Sequence, residues 1–92
     1  MKASPEFEKF ASFFIQDLDD FLPDYERMYG FVLTSVKGVE RTRLRDFLDL
    51  ATQDTVSDHE LMGLWKSVND EVQFFTADGL RMVLKGARDR LL

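Results

Sequence analysis

Apolar side chains recur at intervals of three and four residues in one segment after another of this 92-residue chain. Phe7, Phe10 and Phe14 form the clearest example. This spacing places side chains on one face of an α-helix. The Asp78-Gly79 pair is followed by a helical pattern and not by an alternating one, so no β-hairpin is indicated. The pattern predicts an all-α fold, and a chain of this length is sufficient for a single domain with one modest hydrophobic core.

Start and stop signals divide the chain into five predicted helices. Ser4 precedes Pro5 as an N-cap, and Pro23 restarts a helix at a position where its missing N–H carries no cost. Gly38 is expected to end the second helix. The run Ser57-Asp58-His59-Glu60 is a capping box, in which Ser57 caps the helix and Glu60 reaches back to it. The predicted helices lie near residues 5–16, 23–37, 39–53, 58–69 and 77–91 of a single domain, 1–92.

Each predicted helix carries an apolar stripe that is expected to face the core. The chain has nine Phe residues, and Phe suits a dry core because its ring has no polar group. The expected inward residues are Phe7, Phe10, Ala11, Phe14, Ile15 and Leu18; Tyr25, Met28, Tyr29, Val32, Leu33 and Val36; Leu44, Phe47, Leu48 and Ala51; Leu61, Leu64, Trp65 and Val68; and Leu80, Val83, Leu84, Ala87 and Leu91.

Some residues outside these stripes also carry expectations. Phe13 lies off the first stripe, so it is expected to reach a second neighbour or a partner. Gly30 is a candidate for close packing between helices. Arg45 and Asp49 are spaced for an ion pair along one helix. The apolar residues of segment 72–75 are expected to tuck under the domain.

Charge is arranged in alternating blocks along a chain of net charge −5. Residues 1–26 hold seven acidic and two basic residues, and residues 46–79 hold eight acidic residues and one basic residue. Basic blocks occupy residues 27–45 and 80–92. Two interpretations are open: the blocks complement each other within the molecule, or they form an acidic surface for a basic protein partner. Direct binding to nucleic acid is disfavoured because phosphate contacts require a positive surface.

The acidic cluster near residue 17 does not have the spacing of a calcium loop. Such a loop that began at Asp17 would need Gly at its sixth position and Glu at its twelfth. Leu22 and Met28 stand there. The chain also has no Cys, so no thiolate metal site or disulfide is possible. No metal site is predicted.

The sequence offers no catalytic constellation. His59 is the sole His, it lies in the first turn of a predicted helix, and no Ser stands in a nucleophile-elbow context. Because the Gly residues are scattered, no phosphate-binding loop is indicated. Trp65, Phe74 and Phe75 have acidic surroundings and are assigned to the core instead of a nucleobase platform. We expect neither catalysis nor a cofactor; an enzyme would need a pocket with converging polar groups.

No apolar segment approaches the roughly 20 residues that cross a membrane. The amino-terminal stretch also lacks an apolar run of signal-peptide length. The chain is therefore expected to be a soluble intracellular protein without a membrane partner.

Three stretches of the chain form a pattern together. They are Phe10-x-x-Phe13-Phe14-x-Gln16-Asp17; Leu44-x-x-Phe47-Leu48 followed by Asp58-x-Glu60-Leu61; and Asp78-Gly79-Leu80-Arg81 leading to Ala87-Arg88-Asp89-Arg90-Leu91. In this order, they resemble the small helical immunity proteins of bacterial contact-dependent growth inhibition systems. The best-defined motif is the aromatic-Gln-Asp segment, and Ile15 stands here where the family often has His.

The resemblance implies a bacterial cytoplasmic protein, without catalysis or cofactor, that binds the C-terminal domain of a delivered toxin. Such a domain is often a nuclease that acts on tRNA or DNA. Nucleases tend to be basic around the substrate site, and carboxylates can stand in for phosphates there. A monomer is favoured. The alternative is a non-catalytic helical adaptor or regulatory module that binds another basic protein. The predicted contact residues are Asp17, Asp19, Asp20, Phe21, Asp24, Tyr25, Asp46 and Asp49.

Overall fold

The computed structural model describes residues 1–14, 24–74 and 76–91. Over these residues the fold is all-α, as the periodicity predicted, and it contains five α-helices, one 3₁₀ turn and no strand. The elements in chain order are α1 (Pro5–Ser12), α2 (Tyr25–Val32), the 3₁₀ turn (Leu33–Ser35), α3 (Val39–Ala51), α4 (Asp58–Val68) and α5 (Ala77–Arg90).

Four of the five helices begin at a side-chain cap. In each case the N-cap oxygen accepts a hydrogen bond from the backbone N–H three residues later, which typically contributes about 1 kcal/mol. The four caps are Ser4 to the N–H of Phe7 at 3.1 Å, Asp24 to Arg27 at 2.8 Å, Ser57 to Glu60 at 3.1 Å and Thr76 to Gly79 at 3.0 Å.

The capping-box prediction at α4 is half right. Ser57 caps the helix as predicted, but the carboxylate of Glu60 accepts a hydrogen bond from the backbone nitrogen of Met1 at 2.9 Å. The predicted start of the second helix at Pro23 lies outside the described residues. The observed N-cap of α2 is Asp24.

The prediction that Gly38 ends the second helix is wrong. The helix α2 ends at Val32 and continues as the 3₁₀ turn, in which the hydroxyls of Thr34 and Ser35 donate to carbonyls three residues earlier. Such bonds compete with regular helix geometry. Val36 then adopts an extended backbone and is buried, while Gly38 takes φ +58° at the start of α3. A positive φ of this kind suits Gly because it has no Cβ.

The core forms where α1 meets α3 and α4, with α5 packed against both of them. The ring of Phe7 lies 4.9 Å from that of Phe47 and 6.2 Å from that of Trp65, and the ring of Phe14 lies 5.1 Å from that of Trp65. The apolar-stripe prediction is confirmed for most of the described residues. Phe47 and Val68 are half-buried and pack against the core, and Tyr25, the one clear error, is exposed.

The close helix contact involves a different glycine from the predicted one. A Cβ on Gly30 would meet no heavy atom within 4 Å, so Gly30 does not serve close packing. A Cβ on Gly86 of α5 would instead lie 2.2 Å from the hydroxyl oxygen of Tyr29. The same hydroxyl donates to the carbonyl of Val83 at 2.8 Å. Gly86 therefore allows Tyr29 to attach α2 to α5.

Asn69 joins the end of α1 to the connection between α4 and α5. Its side-chain nitrogen donates to the carbonyls of Ala11 and Phe14, both at 2.8 Å, and its oxygen accepts from the N–H groups of Glu71 and Val72, both at 2.9 Å. All four hydrogen bonds of this buried amide are thus satisfied. The connection is held under the domain as predicted, although Phe75 lies outside the described residues.

Candidate partner-binding surface

The predicted contact residues fall into two groups. Asp17, Asp19, Asp20 and Phe21 lie outside the described residues, together with Gln16 of the family motif. Their role stays a prediction from sequence. The other four occupy α3 and the start of α2, where their geometry can be described. These four are Asp24, Tyr25, Asp46 and Asp49.

Asp24 and Tyr25 lie at the N-terminus of α2. The Asp24 carboxylate caps the helix and also lies 3.5 Å from the Nε atom of Arg27. Tyr25 was predicted both on the inner stripe and as a partner contact, and its 65% exposure excludes the first role. Its ring stacks on that of Tyr29, with 6.5 Å between centroids. The aromatic face of Tyr25 is therefore accessible.

Asp46 and Asp49 lie on the outer side of α3, and their side chains are 68% and 62% exposed. The predicted ion pair between Arg45 and Asp49 is wrong. Arg45 contacts Asp46 at 3.3 Å, whereas Asp49 contacts Arg88 of α5 at 3.3 Å. The cause lies in the tertiary structure, because packing of α5 on α3 brings Arg88 close to Asp49.

The C-terminal turns of α5 connect the acidic residues at the start of α2 with those on the outer side of α3. Arg88 binds Asp49 of α3 and also Asp89 at 3.1 Å. Arg90 hydrogen-bonds to Glu26 of α2, and its guanidinium carbon lies 4.1 Å from the centre of the Tyr29 ring. The start of α2 and the outer side of α3 therefore flank the same end of α5. Arg88 and Arg90 are two positions apart and lie on different sides of α5, so the acidic residues occupy two flanks of the helix end. We call the two flanks together the α5 rim; it consists of Asp24, Tyr25, Glu26, Asp46, Asp49, Arg88, Asp89 and Arg90.

The ion pairs of the α5 rim shift the pKa values of its members. The hydrogen bond from Arg90 lowers the pKa of Glu26, and the same contact raises the pKa of Arg90. Burial raises the pKa of the Tyr29 hydroxyl. A similar contact elsewhere, from Lys9, lowers the pKa of Glu40. These carboxylates are therefore ionised at neutral pH.

Sequence reasoning missed Glu26, Arg88 and Arg90 as members of this surface. The sequence indicated that these residues could form ion pairs, because the basic block at residues 80–92 follows an acidic block. The net charge of a block does not reveal which residues form ion pairs with each other. The structure shows complementarity within the molecule. Exposed ion pairs of this kind typically contribute about 0.2–1 kcal/mol, so a partner with better-placed charges can exchange for them.

Other potential sites can be assessed over the described parts of the chain. Within residues 1–14, 24–74 and 76–91, no group of three or more His, Asp or Glu residues is placed to hold a metal ion. In the same ranges every buried side-chain nitrogen or oxygen has a hydrogen-bond partner. His59 is exposed, as predicted. None of the described helices is both long and apolar enough to span a membrane.

Comparison with protein-family models, with curated proteins and with solved structures gave no match to this chain.

Proposed function

We propose that this protein is an immunity protein of a bacterial contact-dependent growth inhibition system. It binds the C-terminal domain of the cognate toxin, a nuclease such as a tRNase, and neutralises it in the cytoplasm. The observation that carries the proposal is the α5 rim, where exposed carboxylates from two helices flank one end of α5 next to an exposed tyrosine.

The chemistry of the α5 rim fits a basic protein surface. Asp46 and Asp49 keep most of their side-chain surface in water despite their arginine contacts. A cationic nuclease surface can attract them over distances of about one Debye length, roughly 8–10 Å. Such attraction accelerates association and selects partners. The protein's net charge of −5 acts in the same direction.

Tight binding also needs a few desolvated anchors. Aromatic residues are enriched among such anchors. Tyr25 is the large aromatic side chain most exposed among the described residues, and its ring lies beside that of Tyr29. Phe21 is the second candidate anchor, on sequence grounds alone.

The direct test is protection of cells that make the cognate toxin domain, which the gene upstream of this one should encode. The first variant reverses three acidic residues that the sequence predicts to contact the partner, Asp17→Lys, Asp19→Lys and Asp20→Lys. Its net charge changes from −5 to +1. We expect protection and co-purification with the toxin domain to be lost while helicity is retained.

The matched control reverses three acidic residues elsewhere, Asp54→Lys, Asp70→Lys and Glu71→Lys, with the same change in net charge. This control is expected to protect cells. If the first variant still protects the cells, the assignment of Asp17, Asp19 and Asp20 as partner contacts is wrong. If the upstream gene encodes no toxin and the protein captures a different basic partner, the adaptor function replaces the immunity function.

A further inference from the structure

A groove of about 530 Å³ lies on a different part of the surface from the Asp46 and Asp49 carboxylates. It is bordered by α2, the 3₁₀ turn, the start of α3 and the end of α5. Its apolar floor is formed by Tyr29, Leu33 and Val36, all of which are buried. The groove therefore combines an apolar floor with walls that four elements contribute.

The charges around this groove are positive, in contrast to the rest of the protein. Lys37, Arg41 and Arg90 line it, with Glu26 as its single carboxylate. Because Arg90 and Glu26 bind each other, their charges offset. Among the described residues neither Lys37 nor Arg41 enters an ion pair. Lys37 and Arg41 are therefore two cations at one edge of an apolar floor that form no ion pair with residues 1–14, 24–74 or 76–91.

Two glycines leave open space beside the backbone that lines the groove. Gly30 and Gly38 both line it, and a Cβ on either would meet no heavy atom within 4 Å. A ligand backbone can therefore approach the protein backbone closely at these positions. The helix–helix contact that was predicted at Gly30 is thus absent from the described part of the chain, and Gly30 borders open space.

We propose that this groove binds a short acidic peptide segment of a partner protein. Carboxylates of the segment pair with Lys37 and Arg41, and an adjacent apolar side chain covers the floor of the groove. A nucleic-acid strand fits less well, because two cations do not track a phosphate backbone. This proposal goes beyond the toxin-binding function and does not rest on it, because Lys37 and Arg41 lie outside the α5 rim; the groove and the rim share only Glu26 and Arg90.

The test is an NMR titration of the full-length ¹⁵N-labelled protein with a six-residue peptide that alternates glutamate and leucine. We expect saturable shifts of the amide signals of Gly30, Thr34, Gly38 and Arg41. A peptide with glutamine in place of glutamate should bind about tenfold more weakly, the effect of losing two exposed charge contacts. Equal binding of the two peptides, tighter binding of a six-nucleotide thymidine strand, or shifts at other amides would overturn the proposal.

Two variants separate binding from folding. The double variant Lys37→Glu and Arg41→Glu should weaken binding of the glutamate peptide by about tenfold. Its control, Arg43→Glu with Lys66→Glu, has the same net charge and should bind within about twofold of the unmodified protein, because neither residue lines the groove. Gly30→Leu should fill the groove and abolish binding, with a Tm equal to or above that of the unmodified protein. Equal losses in the two double variants, or full binding by Gly30→Leu, would contradict the proposed site.

Discussion

The helices on either side of residues 15–23 are attached to the rest of the fold in different ways. The helix α1 is anchored by aromatic rings, since Phe7 and Phe10 are fully buried and the ring of Phe7 contacts Phe47 of α3 and Trp65 of α4. The helix α2 also buries Met28, Tyr29 and Val32, but its polar contacts with α5 are one tyrosine hydroxyl, which fits beside Gly86, and an exposed ion pair. The first attachment depends on buried aromatic area, and the second adds a geometric fit at a few atoms.

This difference matters because the side of the α5 rim formed by Asp24, Tyr25 and Glu26 is built on the second attachment. Apolar burial is non-directional and tolerates small displacements. A methyl group on Gly86 would overlap the Tyr29 hydroxyl, so the tyrosine would have to move. This side of the α5 rim is therefore expected to be the part that single substitutions loosen most selectively, whereas Asp46 and Asp49 lie on α3.

The largest effect is expected from truncation of the aromatic anchor. Phe7→Ala removes a fully buried ring between Phe47 and Trp65, and the expected loss in the free energy of unfolding is about 3–5 kcal/mol. Chemical denaturation followed by circular dichroism would measure it. A loss below about 1 kcal/mol would show that the core at α1 can collapse around the cavity.

A smaller and more local effect is expected from Gly86→Ala. The added methyl group must displace Tyr29, and overpacking of this kind typically costs about 1–3 kcal/mol. Hydrogen exchange should accelerate for amides of residues 25–32 while those of α1 and α4 stay protected. The control is Gly63→Ala, because a Cβ there meets no heavy atom within 4 Å. Uniform acceleration across all helices would contradict a selective attachment of α2.

The smallest effect is expected from Glu26→Gln, and it should depend on pH. The pKa of Glu26 in the folded state is lowered from its ordinary value of 4.5 by the hydrogen bond from Arg90. A depressed carboxyl pKa contributes stability above the unfolded value, and that contribution is lost as the pH falls through the folded value. The Tm difference between the two proteins should therefore be present at neutral pH and vanish in acid. A difference that grew in acid would contradict the ion pair.

The region that sequence predicted well is the one that depends on periodicity. The spacing of Phe7, Phe10 and Phe14 identified the core face of α1, and Ser4 and Ser57 were identified as caps because their effect is local. Phe13 was expected to reach a second neighbour or a partner, and its ring lies 5.3 Å from that of Phe31. The core face of α1 and the caps follow from residues within one or two helical turns, and so does the position of Phe13 off the stripe; its contact with Phe31 does not.

The region that sequence predicted poorly depends on contacts between distant residues. Tyr29 and Val83 are far apart in the chain, and nothing local distinguishes Gly86 from Gly30, so the wrong glycine was chosen for close packing. For the candidate site, polarity was enough to predict that Asp46 and Asp49 are exposed. The partner of Asp49 could not be predicted, because it depends on how α5 packs on α3.

The central claim is that the carboxylates beside α5 face the partner, and one measurement tests it most directly. The double variant Asp46→Lys and Asp49→Lys and the control Asp70→Lys and Glu71→Lys both change the net charge from −5 to −1. The dissociation constant for the cognate toxin domain should rise by at least about tenfold in the first variant and by less than about twofold in the control. Equal affinities for the two variants would contradict the claim.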